Sequence, residues 1–244
     1  MWTNKEIKTA LISGGTSGIG LAIVKKFLQN NITVSTFSNS KTEIKKTKNE
    51  LKDYIKNKKL FIYQADITKK QNIKRVVNQS IKNLKHINVL VNNAGIAYFT
   101  KIDNLDIEKF EKMVDVNITG LVYLTSLVVP HMKKKKGTEI VLNISSIAGK
   151  RGTSMSEFYA ATKFAVQGFS QGLRKEIVPE HIKIVTVCPG IVNTKIGKIR
   201  LKSKHQNKKT LLNPEDIAEI VYFIISEPVH VDIQDITVVP FEGI

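Results

Sequence analysis

The sequence predicts an α/β fold built on one doubly wound parallel sheet, and three observations carry that prediction. Short apolar runs alternate with longer segments of helical period along nearly the whole chain. Such alternation needs crossover connections, and crossovers make parallel sheets. The first strand also ends in a glycine-rich turn that opens a helix, an arrangement suited to a phosphate-bearing ligand. The 244 residues contain no Pro/Gly/Ser-rich linker, composition break or internal repeat, so 1–244 reads as a single domain.

Taken in order, Lys8–Ser13 is the first strand and Ile19–Leu28 the first helix. Between them Gly14, Gly18 and Gly20 fall in a G-x-x-x-G-x-G spacing. Glycines there permit positive φ and let backbone approach a pyrophosphate at the helix N-terminus. Ile32–Phe37 is the second strand, followed by a charged helix over about Lys41–Lys56. Where an NAD-selective site places an acid for the ribose diol, this chain has Phe37, Ser38, Asn39 and Ser40, with Lys41 next. Small polar groups beside a lysine suit a 2′-phosphate, which points to NADP; the bland alternative is that they cap the next helix.

Leu60–Ala65 is a third strand ending at Asp66, Gln71–Leu84 a helix, and Ile87–Val91 a fourth strand leading into Asn92-Asn93-Ala94-Gly95. Asp106–Met132 carries one or two helices and includes Asn117, an odd choice for a helix interior unless its amide has a role. Glu139–Ile144 is a fifth strand that delivers Ser145 and Ser146, and a helix to about Val178 follows. Lys183–Val187 is a sixth strand ending in Cys188-Pro189-Gly190. Residues 195–212 are polar and basic with little apolar periodicity and read as a surface loop or lid. A last helix opens at Pro214-Glu215-Asp216 and a short strand, Asp235–Val239, closes the chain.

The net charge of +17 invites a nucleic-acid reading, but the lysines lie along helix faces without interleaved aromatics, so a solvated lysine-rich surface is favoured. The five histidines are scattered and unpaired with cysteines or clustered acids, so no metal site is expected. One cysteine, Cys188, allows no internal disulfide. Met1–Ile12 does not read as a signal peptide, and Ile118–Pro130 is broken by polar residues and too short for a bilayer, so a cytoplasmic protein without a membrane span is expected.

Chemistry centres on Tyr159 and Lys163, four apart and so on one helix face. A nearby ammonium favours phenolate, which would bring the tyrosine pKa down toward working pH and make it a proton donor to a carbonyl or an acceptor from an alcohol.

These residues, with SGGTSGIG (Ser13–Gly20), Asp66, NNAG (Asn92–Gly95), Asn117, ISS (Ile144–Ser146), YAATK (Tyr159–Lys163) and PGIVNT (Pro189–Thr194), resemble the classical short-chain dehydrogenases/reductases over nearly the whole chain. The resemblance implies a Rossmann-type sheet of about seven strands and hydride transfer with a nicotinamide cofactor. It implies Tyr159 as general acid/base, with Lys163 lowering its pKa and holding the nicotinamide ribose. Ser146, thirteen residues before the tyrosine, would bond the substrate oxygen, Ser145 would be structural, and Asn117 would anchor a proton-relay water. By the same resemblance the cofactor lies against Gly14, Thr16, Ser17, Gly18, Ile19 and Gly20, Ser38 and Asn39, Asp66 and Ile67, Asn93, Ala94 and Gly95, Tyr159 and Lys163, and Pro189, Gly190, Val192 and Thr194. NADP is the expected cofactor, with NAD as the alternative. Ser13 stands where a threonine is usual, and no arginine occupies position 17 or 39.

The C-terminal stretch Pro214–Pro240 is similar to members that oxidise 3-hydroxy acids and small secondary alcohols. A small alcohol/carbonyl substrate is therefore expected. A 3-oxoacyl-carrier-protein reductase is the alternative enzyme, and a non-catalytic cofactor sensor or RNA-binding scaffold the alternative class. The resemblance further implies a homotetramer, or at least a dimer, joined through the helices at about Asp106–Met132 and Phe158–Val178.

Overall fold

The structure, a computed structural model, describes residues 7–135, 137, 139–152, 154–204 and 211–241. Apolar alternation in the first strand, β1 (Thr9–Ser13), already sorts the molecule into layers: Ala10 and Ile12 enter one core, Leu11 the other. After β1 come α1 (Gly18–Gln29), β2 (Thr33–Ser38), α2 (Lys41–Glu50), α3 (Lys52–Lys56), β3 (Leu60–Gln64), α4 (Lys70–Leu84) and β4 (Val89–Asn92). The second half runs through α5 (Ile107–Val114), α6 (Gly120–Met132), β5 (Glu139–Ile144), α7 (Glu157–Ile177), β6 (Ile182–Pro189), α8 (Lys195–Lys204), α9 (Pro214–Ser226) and β7 (Asp235–Val238). All neighbouring strands pair in parallel, in the order β3-β2-β1-β4-β5-β6-β7. The chain reverses direction across the sheet between β3 and β4, so β1 and β4 become neighbours and a crevice opens at their carboxyl ends.

One core packs α1 and α9 against the sheet through Phe27, Leu28, Ile217 and Val221; the other packs α4, α6 and α7 through Val76, Leu124, Val128 and Ile177. β5 is buried at every residue, as a central strand covered on both faces requires.

Four sequence expectations change. The charged helix over 41–56 breaks at Leu51 into α2 and α3, because Leu51 turns into the core. Residues 195–212 are not simply a loop: 195–204 form α8, which Thr194 caps by accepting from Gly197 N at 3.2 Å and which buries Leu201, while the rest of that segment to 210 lies outside the described residues. The apolar stretch at Ile118–Pro130 belongs to a helical run of 26 residues from Ile107 to Met132, whose 18-residue apolar window has mean hydropathy 1.5, long and apolar enough by that measure to cross a bilayer. Here Leu121, Leu124, Val128 and Met132 are buried within the protein. Finally, the histidines are not all scattered: His86 Nε2 lies 2.7 Å from Glu139 Oε1, both buried, and the His131 ring sits 5.3 Å from the His86 ring. Sequence distance hid that pair, because β4 and β5 meet only in the sheet.

Candidate active site

The cradle at the crevice is set by backbone. Gly14 and Gly18 have φ of +68° and +52°, which other residues adopt at a cost. A Cβ on Gly20 would lie 2.3 Å from the Gly14 carbonyl oxygen and 2.4 Å from Asn93 Nδ2, so only glycine lets α1 start this close to β4. Gly15 N donates to Thr36 Oγ1 at 3.1 Å, tying the turn to β2. Ser17 precedes α1 in extended conformation and makes no side-chain cap, so the first amides of α1 are not taken by a serine oxygen. Bare amides and glycine surface are the features that a dinucleotide pyrophosphate needs, and the residues present therefore fit one.

Asn93 and Ala94 close the other wall. Their backbone N–H groups donate to Ser13 Oγ, each at 3.0 Å, while Asn93 Nδ2 donates to the Ser13 and Gly14 carbonyls at 3.0 and 3.2 Å. The hydroxyl that a threonine would carry is thus present in Ser13. Thr194 lies over the turn: a Cβ on Gly18 would be 3.2 Å from Thr194 Cγ2. Gly190 N donates to Val238 O at 2.7 Å, and Val192 bridges Leu212, so the segment after β6 is held on both sides.

At the β2 end, Ser40 caps α2 by accepting from Glu43 N at 3.3 Å, and Ser38 Oγ accepts from Ser40 N at 3.2 Å. The capping reading holds for Ser40, and Asn39 and Lys41 are exposed beside it. Asp66 accepts from Thr68 N and Thr68 Oγ1, each at 2.9 Å, through one carboxylate oxygen. Ile67 is buried against Gly120, whose Cβ would meet Ile67 Cγ1 at 2.7 Å.

The candidate catalytic residues converge from three elements: the turn carrying Asn117, the end of β5 with Ser146, and α7 with Tyr159 and Lys163. Asn117 lies in a π-helical turn, Asp115–Thr119, between α5 and α6. Its amide accepts from Ile96 N and donates to Ile96 O, both at 2.9 Å, and donates to Thr162 Oγ1 at 3.0 Å. That explains asparagine inside a helix: it fastens the β4 exit to α7. The wider turn interrupts the regular α-helical backbone ladder at Asn117. Lys163 is buried and donates to Ile144 O at 2.9 Å. A Cβ on Gly95 would sit 3.4 Å from Asn117 Oδ1 and 3.7 Å from Lys163 Nζ, so these three residues share one small volume.

The two serines of β5 diverge. Ser145 Oγ donates to the Lys163 carbonyl at 3.2 Å and faces Gly149. Ser146 Oγ accepts from Ala148 N at 3.1 Å, and Ser146 lies near enough to the Tyr159 phenol to oppose the rise in its pKa. Phe99 packs edge-on to Tyr159 at 5.6 Å. The parts that sequence reasoning missed, Thr162, Phe99 and the Ile144 carbonyl, act through contacts that no spacing encodes.

The acid–base expectation needs correction. Burial pushes the Tyr159 phenol up to about 12, with Ser146 pulling the other way. Lys163 Nζ lies 5.8 Å from the Tyr159 ring centroid and is spent on Ile144 O. Burial pushes Lys163 itself down to about 8, with Cys188 opposing. Desolvation outweighs the attraction that the i, i+4 spacing promised. At neutral pH this leaves a protonated phenol beside a charged ammonium, a proton donor poised for a carbonyl oxygen.

The model of the short chain dehydrogenase family matches residues 8–205. An uncharacterized oxidoreductase of Staphylococcus aureus (strain MRSA252) is 30% identical over 96% of this chain and 97% of its own. Among solved structures, serine dehydrogenase from Escherichia coli is 29% identical with a TM-score of 0.82, over 95% of this chain and 97% of that one. The closed form of serine dehydrogenase complexed with NADP+ is 29% identical with a TM-score of 0.86, over 97% and 98% of the two chains.

Proposed function

Because this chain belongs to the short-chain dehydrogenase family and is an NAD(P)-dependent oxidoreductase, we propose that it interconverts a small 3-hydroxy acid and its 3-oxo counterpart with NADP(H). The observation that carries the chemistry is the convergence of Ser146, Tyr159 and buried Lys163, with Asn117 Oδ1 and Lys163 Nζ both facing Gly95. Bound at the crevice, the cofactor supplies the hydride in reduction and takes it in oxidation. The residues that would hold it are the Gly14–Gly20 turn with Thr16, Ser17, Gly18 and Ile19, Ser38 and Asn39 toward a 2′-phosphate, Asp66 and Ile67 toward the adenine, and Asn93–Gly95. Pro189, Gly190, Val192 and Thr194 take the nicotinamide end.

Ser146 donates to the substrate oxygen, where charge develops. Tyr159 gives its proton to that oxygen as the carbonyl carbon is reduced. The phenolate left behind is stabilised by the Lys163 ammonium, which also fixes the ribose. Asn117 holds the water through which Tyr159 regains a proton.

The 3-hydroxy acid is supported by the likeness to serine dehydrogenase, serine being itself a 3-hydroxy acid, and by the Pro214–Pro240 stretch. The reading includes a cytoplasmic single-domain protein working as a homotetramer or dimer. Its test is an NADPH and NADH assay against small 3-oxo acids, their esters and aldehydes, with 3-hydroxy acids in reverse. Absence of turnover across that series would return the chain to a cofactor-binding role without catalysis.

A further inference from the structure

The glycine turn between β1 and α1 is held by two buried hydroxyls, Thr36 on β2 and Thr47 on α2. The Thr36 hydroxyl donates to Ile12 O at 2.8 Å and accepts from Gly15 N at 3.1 Å. A threonine has a single hydroxyl proton, so with that proton given to Ile12 the oxygen can only accept from Gly15. Backbone pairing between β1 and β2 runs out at Gly14, whose N–H donates to Phe37 O at 2.9 Å. Thr36 Oγ1 carries the pairing one residue further, a side-chain oxygen standing where a strand carbonyl would. Thr47 Oγ1 then donates to Thr16 O at 3.3 Å, and Thr16 is itself buried. Gly14, Gly15 and Thr16 are thus fastened one after another, the last two by side chains.

Gly15 shows how close this fit is. Unlike Gly14 and Gly18 it has no positive φ, so its backbone conformation does not demand glycine. Space does: a Cβ there would lie 2.2 Å from Thr36 Oγ1 and 2.9 Å from Val24 Cγ2. An unfastened glycine-rich turn samples many backbone states, and a ligand binds only the fraction whose amides are already in place. We propose that Thr36 and Thr47 are positioning residues for the cofactor, fixing the Gly15 and Thr16 peptides so that the first amides of α1 stand ready for the pyrophosphate. Neither hydroxyl touches the cofactor in this role. The inference rests on cofactor binding at this turn and is independent of which alcohol or carbonyl is the substrate.

The test is fluorescence titration of the apoprotein with NADPH and with NADH, well below the melting temperature, beside thermal melts without cofactor. Each bond lost lowers the competent fraction of the turn by about threefold, the worth of an ordinary hydrogen bond. T36V, which removes two bonds, therefore weakens binding about tenfold, and T47V, which removes one, about threefold. Both cofactors lose by the same factor, because both carry the pyrophosphate. T36S and T47S keep the hydroxyls and bind as wild type does, although the lost methyl lowers their melting temperatures. Affinity and stability thus move apart, which a merely structural role would not produce. Unchanged affinity in the folded valine variants overturns the proposal, as does a serine variant as weak as its valine counterpart. A loss confined to NADPH also overturns it, since the turn would then act on the 2′-phosphate. Where T36V does not fold, T47V and T47S decide by the same criteria, since α2 lies outside the sheet. Wild type that bound neither cofactor would remove this proposal together with the cofactor reading beneath it, whereas wild-type binding with unchanged variants removes the proposal alone.

Discussion

Lys163→Met is the sharpest test of the buried site's electrostatics, because it should stabilise the protein while destroying its activity. Lys163 is 5% exposed and its pKa falls from 10.5 to about 8, chiefly through burial. At ~1.4 kcal/mol for each pKa unit, holding that ammonium inside costs the native state about 3 kcal/mol when both folded and unfolded chains are protonated. The cost is fully present below pH 8, shrinks as the folded-state lysine loses its proton, and is gone above pH 10.5, where the unfolded chain is neutral too. The melting temperature of Lys163→Met relative to wild type should therefore be higher by roughly 6–12 °C at pH 7 than the same difference at pH 10.5, at 2–4 °C per kcal/mol for a chain of this size. Thermal melts followed by circular dichroism at pH 7, 8, 9 and 10.5, without cofactor, measure it. A difference that does not change with pH would show that Lys163 bears no desolvation cost, and the reading of a buried ammonium beside Tyr159 would fall.

The other expectations concern catalysis, cofactor and assembly. Tyr159→Phe should abolish turnover with NADPH affinity nearly unchanged, Ser146→Ala should lower kcat by about 10²-fold or more, and Ser145→Ala far less; equal losses at the two serines would refute their division of roles. With Tyr159 near 12 and Lys163 near 8, reductive kcat/KM should fall as pH rises past about 8, when the ammonium beside the phenol is lost; a flat profile from pH 6 to 10 would contradict it. NADPH should be used better than NADH, and Ser38→Asp should reverse that by repelling the 2′-phosphate, so a wild-type preference for NADH in kcat/KM would sink the argument from the β2 end. On α7, Phe164 is 46% exposed and a Cβ on Gly168 or Gly172 would meet nothing within 4 Å, an open face suited to a second copy. Light scattering should show a tetramer or dimer, and a monomer mass at working concentration would remove that idea.

The sequence by itself determined the fold class, the order of the seven strands and which residues stand at strand ends, because periods of 2 and 3.6 and glycine sterics are local properties of the chain. It determined the reaction class through motifs whose order along the chain the parallel sheet then brings to one crevice. What it left open was decided by packing. Desolvation is a property of the assembled interior, so the sign of the Tyr159 shift was not available from an i, i+4 spacing. The His86–Glu139 pair exists only because β4 and β5 are neighbours. The polar segment at 195–204 carries weak apolar periodicity on its own and becomes α8 where Val192, Leu201 and Leu212 meet other elements. Arg200 shows the same dependence most plainly. In the sequence it is one of seven basic residues between 195 and 212, and only the arrangement around Phe99 sets it apart from the exposed lysines beside it.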